Sequence, residues 1–464
     1  MKKIITRFAP SPTGTLHIGG VRTALFNYVY SKQNDGLFLI RIEDTDRERS
    51  TKEYEENILN NLSSIGLNPD EKPINQSERN QIYLDAADKL IKSGKAYYCN
   101  CSIDRLDKLR AEQQKNDKKP QYDGKCRDLN LPRSDETVLR LKTPLEGKVI
   151  LKDFVRGEII FNNSELDDLI ILRSNNSPTY HLCNVVDDYE QNVTTVIRGE
   201  DHISNTPRQI HIQNALGYPE LEYAHLPLVL GPDKKRLSKR HAATSLEEYR
   251  DRGYLDSAIL NTLARLGWSK GDKEVFYLKD LIKDFNINEI QKAGAIFDIT
   301  KLDWLNSQHL ANLSLIDFKA HLEPFLSEIN ISIEDHHNVD LMMSAMRSSE
   351  NTLSGIAKSL EPYYTENITY DDKAIEKFLS GSLSILDDLK NILMDIDDWT
   401  ENFLDTALKN YQKDKDLPIP KVNQPIRIAL TGSTKSPSLG LTLEIFGKKT
   451  SLERIQLLKD KLSV

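Results

Sequence analysis

Cysteine is scarce in this chain: four in 464 residues, far too few for a disulfide framework. No run of 18 apolar residues occurs, and the opening MKKIITRF has no apolar signal core. Both absences point away from a membrane span and from secretion, and toward the cytoplasm. Neither G-x-G-x-x-G nor G-x-x-x-x-G-K-[ST] is present, which removes the two commonest phosphate-binding readings. No fixed-period repeat or low-complexity segment is visible. An excess of positive charge is missing too: 62 basic against 70 acidic residues leave a net charge of −8. That balance excludes a uniformly basic polyanion binder, although a local patch can still do such work.

What is present suggests about three domains. MKKIITRFAP reads as a strand running into a loop, and GGVRTALFNYVYSKQ carries Val21, Ala24, Leu25, Tyr28 and Val29 at helical spacing. LFLIRIED (37–44) has the near-continuous apolar character of a buried parallel strand. A helix is expected from Ser50, which with Glu53 has capping-box spacing, until Gly66. From about 99 to 180 the pattern changes to cysteines and short strands (TVLRLKT, VILKDFV, GEIIF), an inserted α+β module. Buried-strand character resumes in VTTVIRG and LPLVLGP, separated by a helix over 206–216 with Pro207 at its start and Gly217 past its end. After about 242 the chain turns helical, with amphipathic stretches at 254–266, 338–361 and 371–396 and one strand-like piece, TLEIFG. The fold class is thus an α/β nucleotide-binding domain with an insertion, followed by an all-α C-terminal half.

Three stretches carry chemistry. RFAPSPTGTLHIGG (7–20) holds two prolines, three glycines, one histidine, one arginine and no carboxylate. A strand ending in such a loop and running into a helix collects unpaired N–H groups and the positive helix end at one spot, which suits phosphate. His17 can donate to a phosphate oxygen, and Gly19 and Gly20 leave a bare surface beside it. Alone, H-x-G-G is compatible with a merely stiff turn. The second stretch, DKKRLSKRH (233–241), has five cations between Lys234 and Arg240 after a strand and a Gly-Pro turn, at the carboxyl edge where α/β sheets keep ligands. A lysine there can stabilise charge on a transferring phosphate. Third, Cys99, Cys101 and Cys126 lie within 28 residues and suggest a metal before redox. Asp128 can complete a Cys-x-Cys…Cys-x-Asp set, Tyr122 is a second candidate for the fourth position, and plain buried thiols are the alternative.

HIGG (17–20) and RLSKR (236–240) resemble the HIGH and KMSKS signatures of the class I aminoacyl-tRNA synthetases. With RFAPSPTG, RIEDTDR (41–47), YHLCNVVDD (180–188) and IRGEDHISNTPRQ (197–209), the ordered set is similar to the bacterial-type glutamyl branch, and the likeness runs the length of the chain. The resemblance implies a Rossmann-like catalytic domain over 1–98 and 186–241, an inserted acceptor-binding module over 99–185, a stem-contact region over 242–320 and an α-helical anticodon-binding domain over 321–464. It implies ATP-dependent activation of L-glutamate to the adenylate and transfer to the 3′ end of tRNA(Glu), with activation waiting for bound tRNA. It further implies a cytoplasmic, monomeric protein that uses Mg2+ and holds one Zn2+.

Glutamate brings two carboxylates and one ammonium, so its pocket needs two cationic clamps and one anion. By motif position, Arg7 and Arg198 hold carboxylates. Ser11 and Asn184 add hydrogen bonds, Tyr180 walls the pocket and Glu43 takes the ammonium. Glu43 and Asp44, coming off a buried strand, are expected at the ligand edge rather than in surface pairs with Arg41 or Arg47, and Cys183 on the pocket wall. ATP falls to His17, Gly19, Gly20, Arg236, Ser238 and Lys239, with His17 and Lys239 the catalytic pair. Arg236 departs from the usual first lysine of its signature, which shifts weight to Lys239. In the zinc set the family often has histidine where Asp128 stands. Trp304, Arg347 and Lys435 are open as RNA contacts. The rival readings are a paralogue glutamylating a non-standard tRNA target, an enzyme also charging tRNA(Gln), a tRNA-independent nucleotidyltransferase, and a silent tRNA-binding module.

Overall fold

The computed structural model describes residues 3–46, 48–237 and 245–463. The chain divides into two compact units: one of residues up to Glu248 plus Ile259–Ile299, the other of Tyr249–Ala258 plus Thr300–Val464.

The first unit opens with β1 (Ile5–Phe8), α1 (Ile18–Gln33), β2 (Leu37–Ile42), α2 (Lys52–Ser64), β3 (Ile74–Asn75) and α3 (Asn80–Lys92). It continues through β4 (Ala96–Cys99), α4 (Ile103–Lys115), β5 (Val138–Leu141), β6 (Lys148–Asp153), β7 (Gly157–Asn162) and β8 (Ile170–Leu172). Then come α5 (Tyr180–Glu190), β9 (Thr195–Gly199), α6 (Thr206–Leu216), β10 (Glu222–Leu226) and β11 (Val229–Leu230). Strands β1, β2 and β3 form one parallel sheet. A second has the order β7-β6-β10-β9, parallel apart from the β6–β7 hairpin. The edges of β1 and β9 meet through the Thr194 N–H, which donates to the Ile5 carbonyl at 2.9 Å, and the Ile5 N–H, which donates to Thr194 Oγ1 at 2.9 Å. The crossovers β1–α1–β2 and β9–α6–β10 run outward from that junction in opposite senses, which leaves a crevice at the carboxyl ends of β1 and β9.

Strands β4, β5 and β8 make a separate antiparallel sheet inside the inserted stretch. The insertion also feeds the parent sheet, because Asp153 at the end of β6 pairs with Tyr223 of β10. LPLVLGP supplies only the two-residue β11; the long buried strand is EYAHL just before it, since Pro227 interrupts the run. Helix α6 spans Thr206–Leu216 with Gly217 left-handed at φ 73°, as its sequence predicts. The second helix starts later than expected. Its cap is Thr51, whose side chain accepts from the Tyr54 N–H, not Ser50.

Helices α7 (Leu246–Asp251), α8 (Asp256–Arg265) and α9 (Leu278–Asp284) precede β12 (Ala295–Ile296), which pairs with β11. The second unit is helical: α10 (Ile299–Ala311), α11 (Leu315–Glu328), α12 (Val339–Met346), α13 (Leu353–Tyr364), α14 (Asp372–Phe378), α15 (Leu383–Met394), α16 (Glu401–Asp414), α17 (Ile419–Thr431) and α18 (Leu439–Leu462). The long amphipathic stretches at 338–361 and 371–396 are each two helices. TLEIFG is not a strand: it lies in α18, where Leu443, Ile445 and Phe446 join the unit's apolar core. Its β-branched and aromatic residues are there for packing, and core contacts override propensity. Gly447 (φ 76°, ψ 163°) puts a non-helical joint in the middle of that helix.

Candidate active site

The opening loop is held at both ends by backbone contacts. The Glu43 N–H donates to the Pro10 carbonyl at 2.9 Å and the Thr51 N–H to the Pro12 carbonyl at 3.2 Å. Leu16 donates to Asn57 Oδ1 at 3.3 Å, and Asn57 in turn donates to Glu247 at 2.6 Å. His17 is the N-cap of α1, its Nδ1 accepting from the Gly20 N–H at 3.0 Å. An imidazole that accepts at Nδ1 carries its proton on Nε2 when neutral. Desolvation, then Arg236, hold its pKa below the ordinary value against Asp201, so at neutral pH the ring is an uncharged Nε2–H donor.

Arg236 belongs to a short hairpin: the Leu237 N–H donates to Val229 at 2.9 Å, Gly231 donates to Lys235 at 2.8 Å, and Lys234 turns the corner at φ 61°. Its guanidinium lies 3.7 Å from Asp201 and is 65% exposed, free to meet an anion. Ser238 and Lys239 lie outside the described residues. Where the described chain resumes, Ser245 bridges to His17 and Leu246 donates to Leu16 at 3.3 Å. Arg236, at the described start of the second signature, and His17 of the first, more than 200 residues apart, therefore come close enough for the guanidinium to act on the imidazole.

Next to them sits a buried charge cluster. Arg7, on β1, donates from Nε to Asp188 at 2.9 Å. Arg41, fully buried on β2, donates to Asp188 at 2.7 Å, to Gln191 at 3.1 Å and to Asn184 Oδ1 at 2.9 Å. Glu43 follows on the same edge; its Oε1 lies 3.6 Å from Arg41 and accepts no hydrogen bond. Burial raises the Glu43 pKa, with Arg41 and Arg7 opposing, so an arriving cation meets a carboxylate short of partners. Tyr180, Asn184 and Asp188 line one face of α5 at four-residue spacing. Burial and then Glu43 push the Tyr180 hydroxyl up to about 12, and it shares a 3.1 Å hydrogen bond with His202 Nδ1. Arg198, at the end of β9, is buried and donates to His225 Nε2 at 3.2 Å and to Thr206 Oγ1 at 2.7 Å. Ser11 is exposed on the loop.

Other expectations change. Asp44 does not face the ligand edge: it accepts from the Ser77 N–H at 2.8 Å and from its hydroxyl at 2.5 Å, fixing the turn before α3. Cys183 is packed in an apolar core with Tyr83, Leu90 and Leu182, not on the pocket wall. Arg41 and Asp188 were not singled out in the sequence. The four-residue spacing from Tyr180 through Asn184 to Asp188 was the available signal.

In the inserted module, the Sγ atoms of Cys99, Cys101 and Cys126 lie within 4.8 Å of one another, Cys101 and Cys126 at 3.5 Å. Tetrahedral zinc with bonds of about 2.3 Å separates its sulfurs by roughly 3.8 Å, so the cluster has the right size. The Tyr122 hydroxyl stands 3.4 Å from Cys99 Sγ and 3.8 Å from Cys101 Sγ. Asp128 is turned away, 84% exposed and paired with Lys142 at 3.0 Å. Asp128 therefore does not join the three thiols, and of the two candidates for the fourth position Tyr122 is the one beside them. Burial raises the Cys99 thiol, but the Tyr122 hydroxyl, the Cys101 backbone and Arg140 outweigh it and bring it to about 7.

Residues 3–304 match the family model "tRNA synthetases class I (E and Q), catalytic domain", and 317–458 match an anticodon binding domain. The chain belongs to the class I tRNA synthetases. A protein named glutamate–tRNA ligase 2 in Halorhodospira halophila is 44% identical over 460 residues, 98% of either chain. A glutamate–tRNA ligase of Thermodesulfovibrio yellowstonii is 43% identical over 97% of this chain and 98% of its own. The crystal structure of a glutamate tRNA ligase from Elizabethkingia meningosepticum, in complex with its amino acid, superposes with a TM-score of 0.88 at 32% identity, covering 99% of this chain and all of that one. This class I synthetase is accordingly a ligase with a Rossmann-like catalytic domain and a helical C-terminal half. Among its described residues no helix is long and apolar enough to cross a membrane.

The RNA-contact candidates sit in different settings. Trp304 is 40% exposed with Lys301 4.2 Å above its ring. Lys435 is 81% exposed, 3.5 Å from Glu350. Arg347 donates to the Leu313 carbonyl at 2.8 Å and to Ala311 at 3.3 Å, tying down the end of α10.

Proposed function

We propose that this protein is a glutamate–tRNA ligase that activates L-glutamate with ATP and passes the glutamyl group to the 3′ end of tRNA(Glu). The observation that carries the reading is one crevice holding two kinds of subsite. Guanidinium groups of Arg7 and Arg198 stand with the Glu43 carboxylate, its Oε1 free of hydrogen bonds, on one side, and the His17 Nε2–H and Arg236 on the other. Two clamps and one anion match the two carboxylates and ammonium of glutamate, and Asn184 and Ser11 add polar contacts. Gly19 and Gly20 leave room for the nucleotide. His17, Arg236, Ser238 and Lys239 take the phosphates.

The chemistry asks little covalent work of the protein. The glutamate α-carboxylate attacks the α-phosphorus and pyrophosphate leaves; the terminal ribose hydroxyl of the tRNA then attacks the mixed anhydride and AMP leaves. Catalysis is alignment and charge stabilisation. The His17 Nε2–H and the Lys239 ammonium stabilise the departing pyrophosphate. Mg2+ bound with ATP would supply further neutralisation of the phosphate charge. Cys99, Cys101, Cys126 and Tyr122 would hold one Zn2+ that fixes the inserted, acceptor-binding module. Residues 242–320 contact the tRNA stem and 321–464 the anticodon, and the enzyme works as a cytoplasmic monomer.

Charging of purified tRNA(Glu) with labelled glutamate tests the reading; failure to charge it overturns the assignment. In a separate exchange assay with tRNA(Glu) present, Lys239→Ala lowers ATP–pyrophosphate exchange at least about tenfold, as expected for loss of a charged transition-state contact. A rate near wild type removes Lys239 from the mechanism.

A further inference from the structure

Arg198 has a fork of donors, and two are already spent inside the protein: Nε on His225 Nε2 at 3.2 Å and one terminal nitrogen on Thr206 Oγ1 at 2.7 Å. For Nε2 to accept, its proton must be absent. The other ring nitrogen, Nδ1, faces Asp153 Oδ2 at 2.7 Å, and both side chains are fully buried. Asp153 is itself fixed, with Oδ1 accepting from the N–H groups of Val155 at 2.9 Å and Arg156 at 2.8 Å. A carboxylate at Nδ1 keeps the proton there and leaves the lone pair at Nε2 for Arg198.

We infer that Asp153 and His225 are positioning residues for glutamate recognition: Asp153 sets the His225 tautomer, and His225 and Thr206 aim the remaining nitrogen of Arg198 at the substrate carboxylate. This rests on the reading of Arg198 as a carboxylate clamp. The three residues come from β6, β10 and β9, adjacent strands of one sheet, so the chain Asp153–His225–Arg198 is built on rigid elements. It also gives the β6 part of the insertion a task in the parent site.

A second consequence concerns acid. A proton on Nε2 removes the acceptor and sets a cation against Arg198, so the clamp works only with His225 neutral. The groups facing the ring are Asp153 from β6, Arg156 just after it, Arg198 from β9, His202 from the turn before α6, and Tyr223 on its own strand. Desolvation lowers the His225 pKa and Arg198 and Arg156 lower it further, while Asp153 opposes them. The ring is neutral at pH 7, and glutamate affinity falls as pH falls through that depressed value.

The test is steady-state charging of tRNA(Glu) by the full chain, with KM for glutamate, KM for ATP and kcat measured from pH 5.5 to 8 and thermal midpoints in parallel. In Asp153→Asn an amide NH2 toward Nδ1 reverses the tautomer. KM for glutamate rises about tenfold, the loss expected of one hydrogen bond to a charged group, while kcat and KM for ATP stay within about twofold. His225→Gln keeps an acceptor that cannot titrate. Its KM stays within about threefold of wild type and its rise at acid pH is lost. Arg198→Lys is the control for the clamp. If Arg198→Lys raises KM for glutamate and Asp153→Asn does not, the relay is wrong and the clamp stands; if Arg198→Lys leaves KM unchanged, the clamp itself fails. Should Asp153→Asn not fold, an acid rise in KM persisting in His225→Gln overturns the proposal.

Discussion

The His17 imidazole has one proton to place, and the backbone decides where. Because Gly20 N–H occupies Nδ1, only Nε2 is left to donate toward a phosphate. The ring's orientation depends on bare backbone beside it: a Cβ at Gly19 would lie 3.1 Å from both Nδ1 and Cε1 of His17. Gly19→Ala therefore pushes the ring by a few tenths of an ångström. The expected result is a KM for ATP raised about fivefold or more, with KM for glutamate unchanged, since small misplacements of a positioned group are costly. Equal changes in both constants would assign the glycine a general structural role. The cysteine cluster is the other place where one residue decides. Tyr122 stands within 3.8 Å of two sulfurs, while Asp128 is in solvent beside Lys142. Purified protein is expected to carry about one equivalent of zinc, in keeping with a closed four-coordinate site. Asp128→Ala should keep it against a chelator and Tyr122→Phe should release it faster. Retention by Tyr122→Phe and loss by Asp128→Ala reverses the assignment.

At the scale of elements, the start of α2 separates two adjacent hydroxyls. Thr51 Oγ1 accepts from the Tyr54 N–H at 3.2 Å, whereas Ser50 Oγ is buried without a partner. Thr51→Ala should cost about 1 kcal/mol and Ser50→Ala only a few tenths, read as unfolding midpoints in urea. The reverse order would restore the cap to Ser50. The one-residue error has a physical source: capping-box spacing tolerates a shift whenever two hydroxyl residues are consecutive, and only backbone geometry chooses between them. Elements with strong periodicity and paired start and stop signals were legible, α6 with Pro207 and Gly217 above all. Those built for core packing were not, as TLEIFG shows, because a β-branched and aromatic run is equally at home inside a buried helix. In the candidate site, the motifs pointed to Arg7, Glu43, Asn184 and Arg198, which the structure describes at the carboxyl ends of β1, β2 and β9 and on α5. Arg41, Asp188 and His225 were not legible there, since their roles come from contacts between strands and helices far apart in the chain.

At the scale of the whole molecule the chain is interleaved, which no composition shift announces. Residues 249–258 pack with the helical unit, although 259–299, which follow them, belong with the catalytic one. Leu255 and Ala258 sit in the core of the helical unit beside Leu310, Phe318 and Leu353. One fully buried side chain stitches the early segment in. Asn306 Oδ1 accepts from the Leu255 N–H at 2.8 Å, and Nδ2 donates to the Asn351 carbonyl at 2.6 Å and to Gly253 at 3.4 Å. Truncating it leaves the buried Leu255 N–H without its acceptor and takes one donor from the Asn351 and Gly253 carbonyls, the second of which keeps the Leu353 N–H at 3.0 Å. Asn306→Ala should destabilise the helical unit by about 3 kcal/mol, the scale of unmet buried polar groups plus a small cavity. Asn312→Ala, whose side chain is exposed and bonds only one turn back to Gln308 at 2.9 Å, should stay within about 0.5 kcal/mol. Urea unfolding followed by far-ultraviolet circular dichroism gives both values. Equal small losses in the two variants would mean that 249–258 is held by apolar packing alone, and the stitch at Asn306 would carry no stability of its own.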